Sequence, residues 1–243
     1  MERQASASSL SVTTSRRMVD LHAVIAARNN ADWYETMFQV HGLAYTRGRS
    51  TFVTDAPPPR FHSHMLAFDP RCSPATLKKI ETQSIKEDFG IKDAFDAYDL
   101  APLGLSPLFE ARWIWADRLP VQDTADWSKV TNADQLLAFE TAWNDGHVPK
   151  ARHFPDAMLD RPEIAFWTRS ISGRVVAGAI ANLSEDCVGL SNCFGPGAIV
   201  VGSHLAAAFG GWRPVVGYER GEDLETALEA GFSDAGPLKV WTK

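Results

Sequence analysis

Asp223-Leu224-Glu225-Thr226-Ala227-Leu228-Glu229-Ala230-Gly231-Phe232-Ser233, running on through Pro237 and Leu238 to Trp241, repeats an order found earlier in the chain. The earlier copy reads Asp99-Leu100, then Gly104-Leu105-Ser106-Pro107-Leu108, and ends at Trp113. In each, a short helical segment stops at a glycine, the residue that tolerates the left-handed backbone of a helix end. The chain then turns through a serine into an apolar run closed by tryptophan. The material ahead of each ending reads in the same order too, which divides the chain into two related halves.

In the first half Asp20 is placed to cap a helix. Leu21, Val24, Ile25, Arg28, Ala31, Tyr34 and Phe38 recur along it near the helical period, and Gly42 supplies the stop. Strand-like runs follow at 43–45, 51–54 and 65–68, separated by Pro57-Pro58-Pro59. Ser73-Pro74 opens a second helix, because proline at the first helical position removes only an N–H that has no partner there anyway. A strand at 94–98, a short helix to Leu103 and a strand at 108–115 complete an α-β-β-β-α-β-α-β order.

Residues 116–126 are polar and carry Pro120, so the linker is placed there. After a short strand at 127–130, Asn132 caps a helix bearing Leu136, Leu137, Phe139 and Trp143. A second helical piece at 155–159 precedes strands at 164–169, 174–183 and 187–194, the first two joined by a Ser172-Gly173 turn. A helix at 198–209, a strand at 214–218, a helix at 223–230 and a strand at 238–241 repeat the order of the first half. The expectation is an α/β (α+β) protein of two domains, 20–115 and 127–243, each a mixed, mostly antiparallel sheet flanked by helices, behind a flexible tail at 1–19.

With 243 residues, 45% of them hydrophobic and 22% charged, the chain is long enough to bury a full core. A net charge of −6 and the absence of a basic face argue against nucleic acid as a partner. No apolar run approaches the length that spans a bilayer, so a membrane is not expected. Cys72, Cys187 and Cys193 form no C-x-x-C pair, which favours a reducing, cytoplasmic setting. The eight tryptophans fall mostly within helices or strands and read as packing residues.

The order of elements, together with three short motifs of the second half, resembles the GNAT acetyltransferase fold. Val188-Gly189-Leu190-Ser191-Asn192 is similar to that family's fourth strand. Gly217-Tyr218-Glu219 is similar to its fifth, and Leu224 with Gly231-Phe232 to its last helix and Gly-Phe ending. The resemblance implies an acyl-CoA-dependent N-acyltransferase with acetyl-CoA or another acyl-CoA as co-substrate, no metal, and a small-molecule or peptide amine as acceptor. It further implies that the fourth and fifth strands splay. Ser191, Asn192 and Cys193 would then hold the pantetheine arm, and Gly195, Gly197 and Ala198 would cradle the phosphates at a helix start.

Two features depart from that pattern. The phosphate loop reads Phe194-Gly195-Pro196-Gly197-Ala198 with no basic residue near it, and Ala227 stands where the family often has a proton-donating tyrosine. Tyr218 and Glu219, at the cleft end of the fifth strand, are the substitute acid and base; the plainer alternative has Tyr218 packed under a helix and Glu219 solvated. A degenerate module that binds CoA or another small ligand as a sensor is the second reading, and a structural subunit or homodimer stays open. Cys193 invites comparison with a nucleophile, though burial is the simpler account of it. His62 and His64 alternate as a pair of metal ligands would but lack a third. His147 and His153 flank a loop where an acceptor would lie.

Overall fold

The structure is a computed structural model and describes residues 19–243, so most of the expected tail lies outside the described residues. Helix α1 (Leu21–Val40) starts where expected: the Asp20 carboxylate accepts the His22 N–H, and Gly42 follows the last turn with positive φ. Then come β1 (Thr46–Arg47), β2 (Thr51–Val53), β3 (Met65–Ala67), α2 (Pro74–Gln83), β4 (Gly90–Asp93), a single 3-10 turn at Ala101–Leu103, and β5 (Ser106–Ala116). The second half adds β6 (Trp127–Lys129) and α3 (Ala133–Trp143), with a 3-10 turn at Asp156–Asp160. It continues through β7 (Ile164–Ile171), β8 (Arg174–Leu183), β9 (Val188–Phe194), α4 (Ala198–Phe209), β10 (Val215–Glu219), α5 (Gly221–Glu229) and β11 (Ser233–Thr242).

Several expectations shift. The strand expected at 94–98 is β4, four residues earlier. Ala94 to Tyr98 instead wrap the Asp93 carboxylate, which accepts the N–H groups of Phe95, Ala97 and Tyr98. The strand expected at 43–45 forms at Thr46–Arg47. Ala116, assigned to the linker, ends β5.

The eleven strands of the described residues form one sheet in the order β1-β2-β3-β4-β11-β5-β10-β9-β8-β7-β6. Among the described residues only β3·β4 and β9·β10 run parallel. The two echoing endings are strands β5 and β11, and they pair with each other at the centre, Ala111 opposite Leu238 and Pro107 opposite Trp241. Each is inserted beside the other half's penultimate strand: β11 lies against β4, and β5 against β10. From this seam outward the strands of the halves match position for position, with β6 as an addition.

Alternation along the strands sends residues to two cores. On one face α1 lies over the seam, its Ala23, Ala26, Ala27 and Ala31 permitting close approach to Trp113, Val216 and Leu238. Helix α3 continues that face with Phe139 against Phe154, Phe166 and Ile180. On the opposite face α4 and α5 cover β7–β10, and α2 covers β3 and β4. Among the described residues no helix is long and apolar enough to cross a membrane.

Candidate functional site

Strands β9 and β10 pair only at their starts, Val188 with Val215 and Gly189 with Val216, and then part. The cause lies in β9. Ser191 faces Ile180 on β8, but Phe194 faces Gly178, so β9 carries one extra residue. Asn192 takes it up with φ 51°, and a bulge of this kind bends the strand that holds it. Gly178 makes room for the bend, since a Cβ there would lie 2.6 Å from the Phe194 ring. Strand β10 stays paired with β5 through Glu219, so it cannot follow. The result is a gap lined on the β9 side by main-chain groups of residues 191–194, which lie beyond the pairing with β10.

Two cavities meet at this gap, and both are lined by Cys193 and Glu219. The first, ≈ 240 Å³, lies on the α1 face among Trp33, Tyr34, Phe61, Lys92, Ser191 and Tyr218. The second, ≈ 190 Å³, lies between the end of β9 and the starts of α4 and α5, beside Gly195, Gly197, Ala198 and Asp223. Gly195 and Gly197 both have φ of 78°. Gly197 caps α4 without a side-chain bond. The Ala198 N–H is taken by the Gly195 carbonyl, while Ile199 and Val200 have N–H groups with no carbonyl partner among the described residues.

Burial sets the protonation of the gap. It pushes the Glu219 carboxyl up to about 7, with Asp223 adding to the effect. It pushes the Tyr218 phenol up to about 12 and the Cys193 thiol well above its ordinary value, so Cys193 stays a neutral thiol. The gap therefore offers a carboxyl poised near neutrality, as a general base requires.

No protein-family model and no curated protein matches the sequence. Solved structures do match in shape. A GCN5-related N-acetyltransferase from Kribbella flavida superposes with a TM-score of 0.59 at 15% identity, over 90% of this chain and 95% of that one. An acetyltransferase of the GNAT family from Novosphingobium aromaticivorans gives 0.56 at 12% identity, over 86% and 94%. The chain has the GNAT fold. A conserved protein of unknown function from Staphylococcus epidermidis shares it as well, with a TM-score of 0.58 at 12% identity over 85% and 96%.

Within this GNAT fold the residues expected at the arm and the phosphates do come together at the gap. Gly195, however, owes its identity to β8: a Cβ would stand 2.0 Å from the Val176 carbonyl oxygen, so packing rather than ligand approach excludes a side chain. Ala227, on α5, is fully buried in the core and carries no group that could donate a proton. Tyr218 both packs, edge-on to Trp113 at 5.5 Å between ring centres, and lines the first cavity.

The histidines divide. His153 and His62 line the first cavity, and burial lowers them to about 4 and about 3, so both are neutral there. His147 is exposed and bonded to the Asn144 carbonyl. His62 and His64 precede β3 instead of lying on it, and no group of three or more metal-ligating side chains occurs among the described residues.

Sequence reasoning missed Lys92. With β4 placed four residues late, nothing marked this lysine as an inward-facing strand residue. It is 2% exposed, and its ammonium donates to Asn30 Oδ1 at 3.2 Å and to Tyr218 Oη at 3.1 Å. Leu66 and Val240, its neighbours across β4, belong to the core under α1, so the side chain points to the same face.

Proposed function

We propose that the chain is an acyl-CoA-dependent N-acyltransferase, with 20–115 and 127–243 as two GNAT-like units and the acyl-CoA site in the second. The observation that carries this is the parting of β9 and β10 with Glu219 at the junction of two cavities, one leading to the α4 N-terminus and one open toward α1. When bound, acyl-CoA supplies an acyl group activated as a thioester. The unpaired edge of β9 at Ser191, Asn192 and Cys193 holds the extended arm as a neighbouring strand would. The Ile199 and Val200 amides, with the dipole of α4 behind them, attract the phosphates.

The acceptor, a small-molecule or peptide amine, enters from the α1 side. Glu219 takes a proton from the amine as its nitrogen attacks, and an amide of Asn192 or Cys193 polarises the carbonyl oxygen. Tyr218 accepts a hydrogen bond from Lys92, which leaves its own proton free for the departing thiolate.

A second reading has support from one feature. Asp223 and Glu219 both line the phosphate end, and among the described residues no Lys or Arg lies there. That charge disfavours a polyanion and suits a binding module that performs no chemistry. Calorimetric titration with acetyl-CoA, followed by an assay for free thiol across an amine panel, decides. Binding with thiol release supports the enzyme, binding without release on any amine supports the sensor, and no binding overturns both.

A further inference from the structure

Lys92 is a buried amine with no anion, and burial lowers it from the ordinary lysine value. Among the described residues no carboxylate lies within salt-bridge distance of its ammonium. Asp93, the next residue, faces the other side of β4 and spends its oxygens on three backbone N–H groups. An ammonium has three donors. Two go to Asn30 and Tyr218, and the Tyr34 side chain is a third hydrogen-bonding neighbour, so none of its partners is an anion. The rings of Tyr218 and Tyr34 lie 4.2 Å and 5.3 Å from the nitrogen and soften its burial without supplying charge. A leucine or methionine would pack with Leu66 and Val240 at lower cost, since an unpaired buried charge is expensive.

The cavity this lysine lines has a simple charge pattern. Among the described residues Lys92 is its one lysine or arginine and Glu219 its one carboxyl group, with His62 and His153 neutral; a bound carboxylate would favour the charged form of Lys92 that burial disfavours. On β10, Tyr218 turns toward Lys92 and the α1 face, whereas Glu219 follows Val215 toward the α4 face and reaches the cavity through the gap. The two groups therefore reach a small chamber, walled by Trp33, Tyr34, Phe61 and Tyr218, from opposite faces of the sheet. The complement of that chamber is a molecule with an amine at one end, a carboxylate at the other and an apolar or aromatic body.

We propose that the acceptor is a small amino acid with an apolar or aromatic side chain, its amine at Glu219 and its carboxylate on the Lys92 ammonium. This rests on the acyltransferase reading for the fate of the amine, but binding of the amino acid does not depend on acyl-CoA. Lys92 is thus the residue that selects an anionic acceptor over a plain amine.

The test uses the full chain without any thioester. The protein L-amino acids are screened by thermal shift. The strongest is then titrated calorimetrically beside its decarboxylated amine, on wild type and on K92M and K92Q. The expected result is saturable binding of at least one apolar or aromatic amino acid, at least tenfold weaker binding of its amine, and a similar loss for the amino acid in both variants with the amine unchanged. K92M should melt no lower than wild type, because it replaces a buried amine that has no anion with an apolar side chain of similar length; K92Q controls for polarity if it does not. No binding by any amino acid, equal binding of the amine, or undiminished binding by both variants overturns the proposal. Failure to bind acetyl-CoA in a separate titration would instead remove the acyl-transfer reading and leave this assignment of Lys92 standing.

Discussion

The halves share one strand order, yet their parallel pairs behave oppositely. Strands β3 and β4 are in register along all of β3, Met65 with Ile91 through Ala67 with Asp93. Strands β9 and β10 separate after two residues. The helix that follows differs in the same sense. At the start of α2, the Asp69 carboxylate accepts from the N–H groups of Arg71 and Ser73 and from the hydroxyls of Ser73 and Thr76. That half has closed its gap and supplied its own anion. The start of α4 has no capping side chain, and Glu219 and Asp223, which line the cavity beside it, make no hydrogen bond to its N–H groups. One architecture becomes a structural unit when its helix end is satisfied internally, and a candidate binding unit when that end is left for a ligand.

The contrast can be broken most severely at Glu219. E219Q should lower the acyl-transfer rate about 10²-fold or more while acetyl-CoA still binds, measured by thiol release and calorimetry. The wild-type rate should rise with pH through about 7, because only the ionised carboxylate accepts a proton. The folded value lies above the unfolded one, so the stabilisation linked to Glu219 is complete below the unfolded value and is lost as pH rises through about 7. E219Q should therefore be the more stable protein at pH 8, with the difference shrinking in acid.

Gly195→Ala should cost about 2–4 kcal/mol in urea unfolding, since the added methyl meets the Val176 carbonyl and φ is positive. D69A tests the other helix end. It should cost about 2 kcal/mol and leave acetyl-CoA binding unchanged. Burial alone would raise the Asp69 carboxyl, but the Ser73 and Thr76 bonds hold it below its ordinary value. Its contribution is present above the unfolded value and lost as pH falls through the lower folded one. The smallest effect is expected from D223N, which should tighten acetyl-CoA several-fold and move the pH limb of the rate below 7, because Asp223 helps raise Glu219.

Local signals carried most of the element order. Asp20, Ser73 and Asn132 cap helices as their types and positions suggest, and the Gly42 and Gly104 stops fall where the backbone turns left-handed. The β4 strand escaped because its four residues include a lysine and an aspartate, while Ala94, Phe95 and Tyr98 beyond it are buried for a different reason, the turn around Asp93. The pairing of β5 with β11 was beyond local reading, since the partners are more than a hundred residues apart. At the site, the main-chain residues of β9 and the β10 carboxylate were legible from short motifs. Lys92 was not, because its meaning comes from Tyr218 and Asn30, which only the assembled sheet brings to it.

The central pairing of β5 with β11 bears on how the chain is made. Strand β4 has no inner neighbour until residues 233–242 exist, so the portion synthesised first must wait with an open edge while the remainder emerges. Such long-range closure is slow and exposes an unpaired edge to other chains meanwhile. Deleting 233–242 should accordingly unravel the amino-terminal sheet, far away in sequence, as surely as the segment to which those residues are joined.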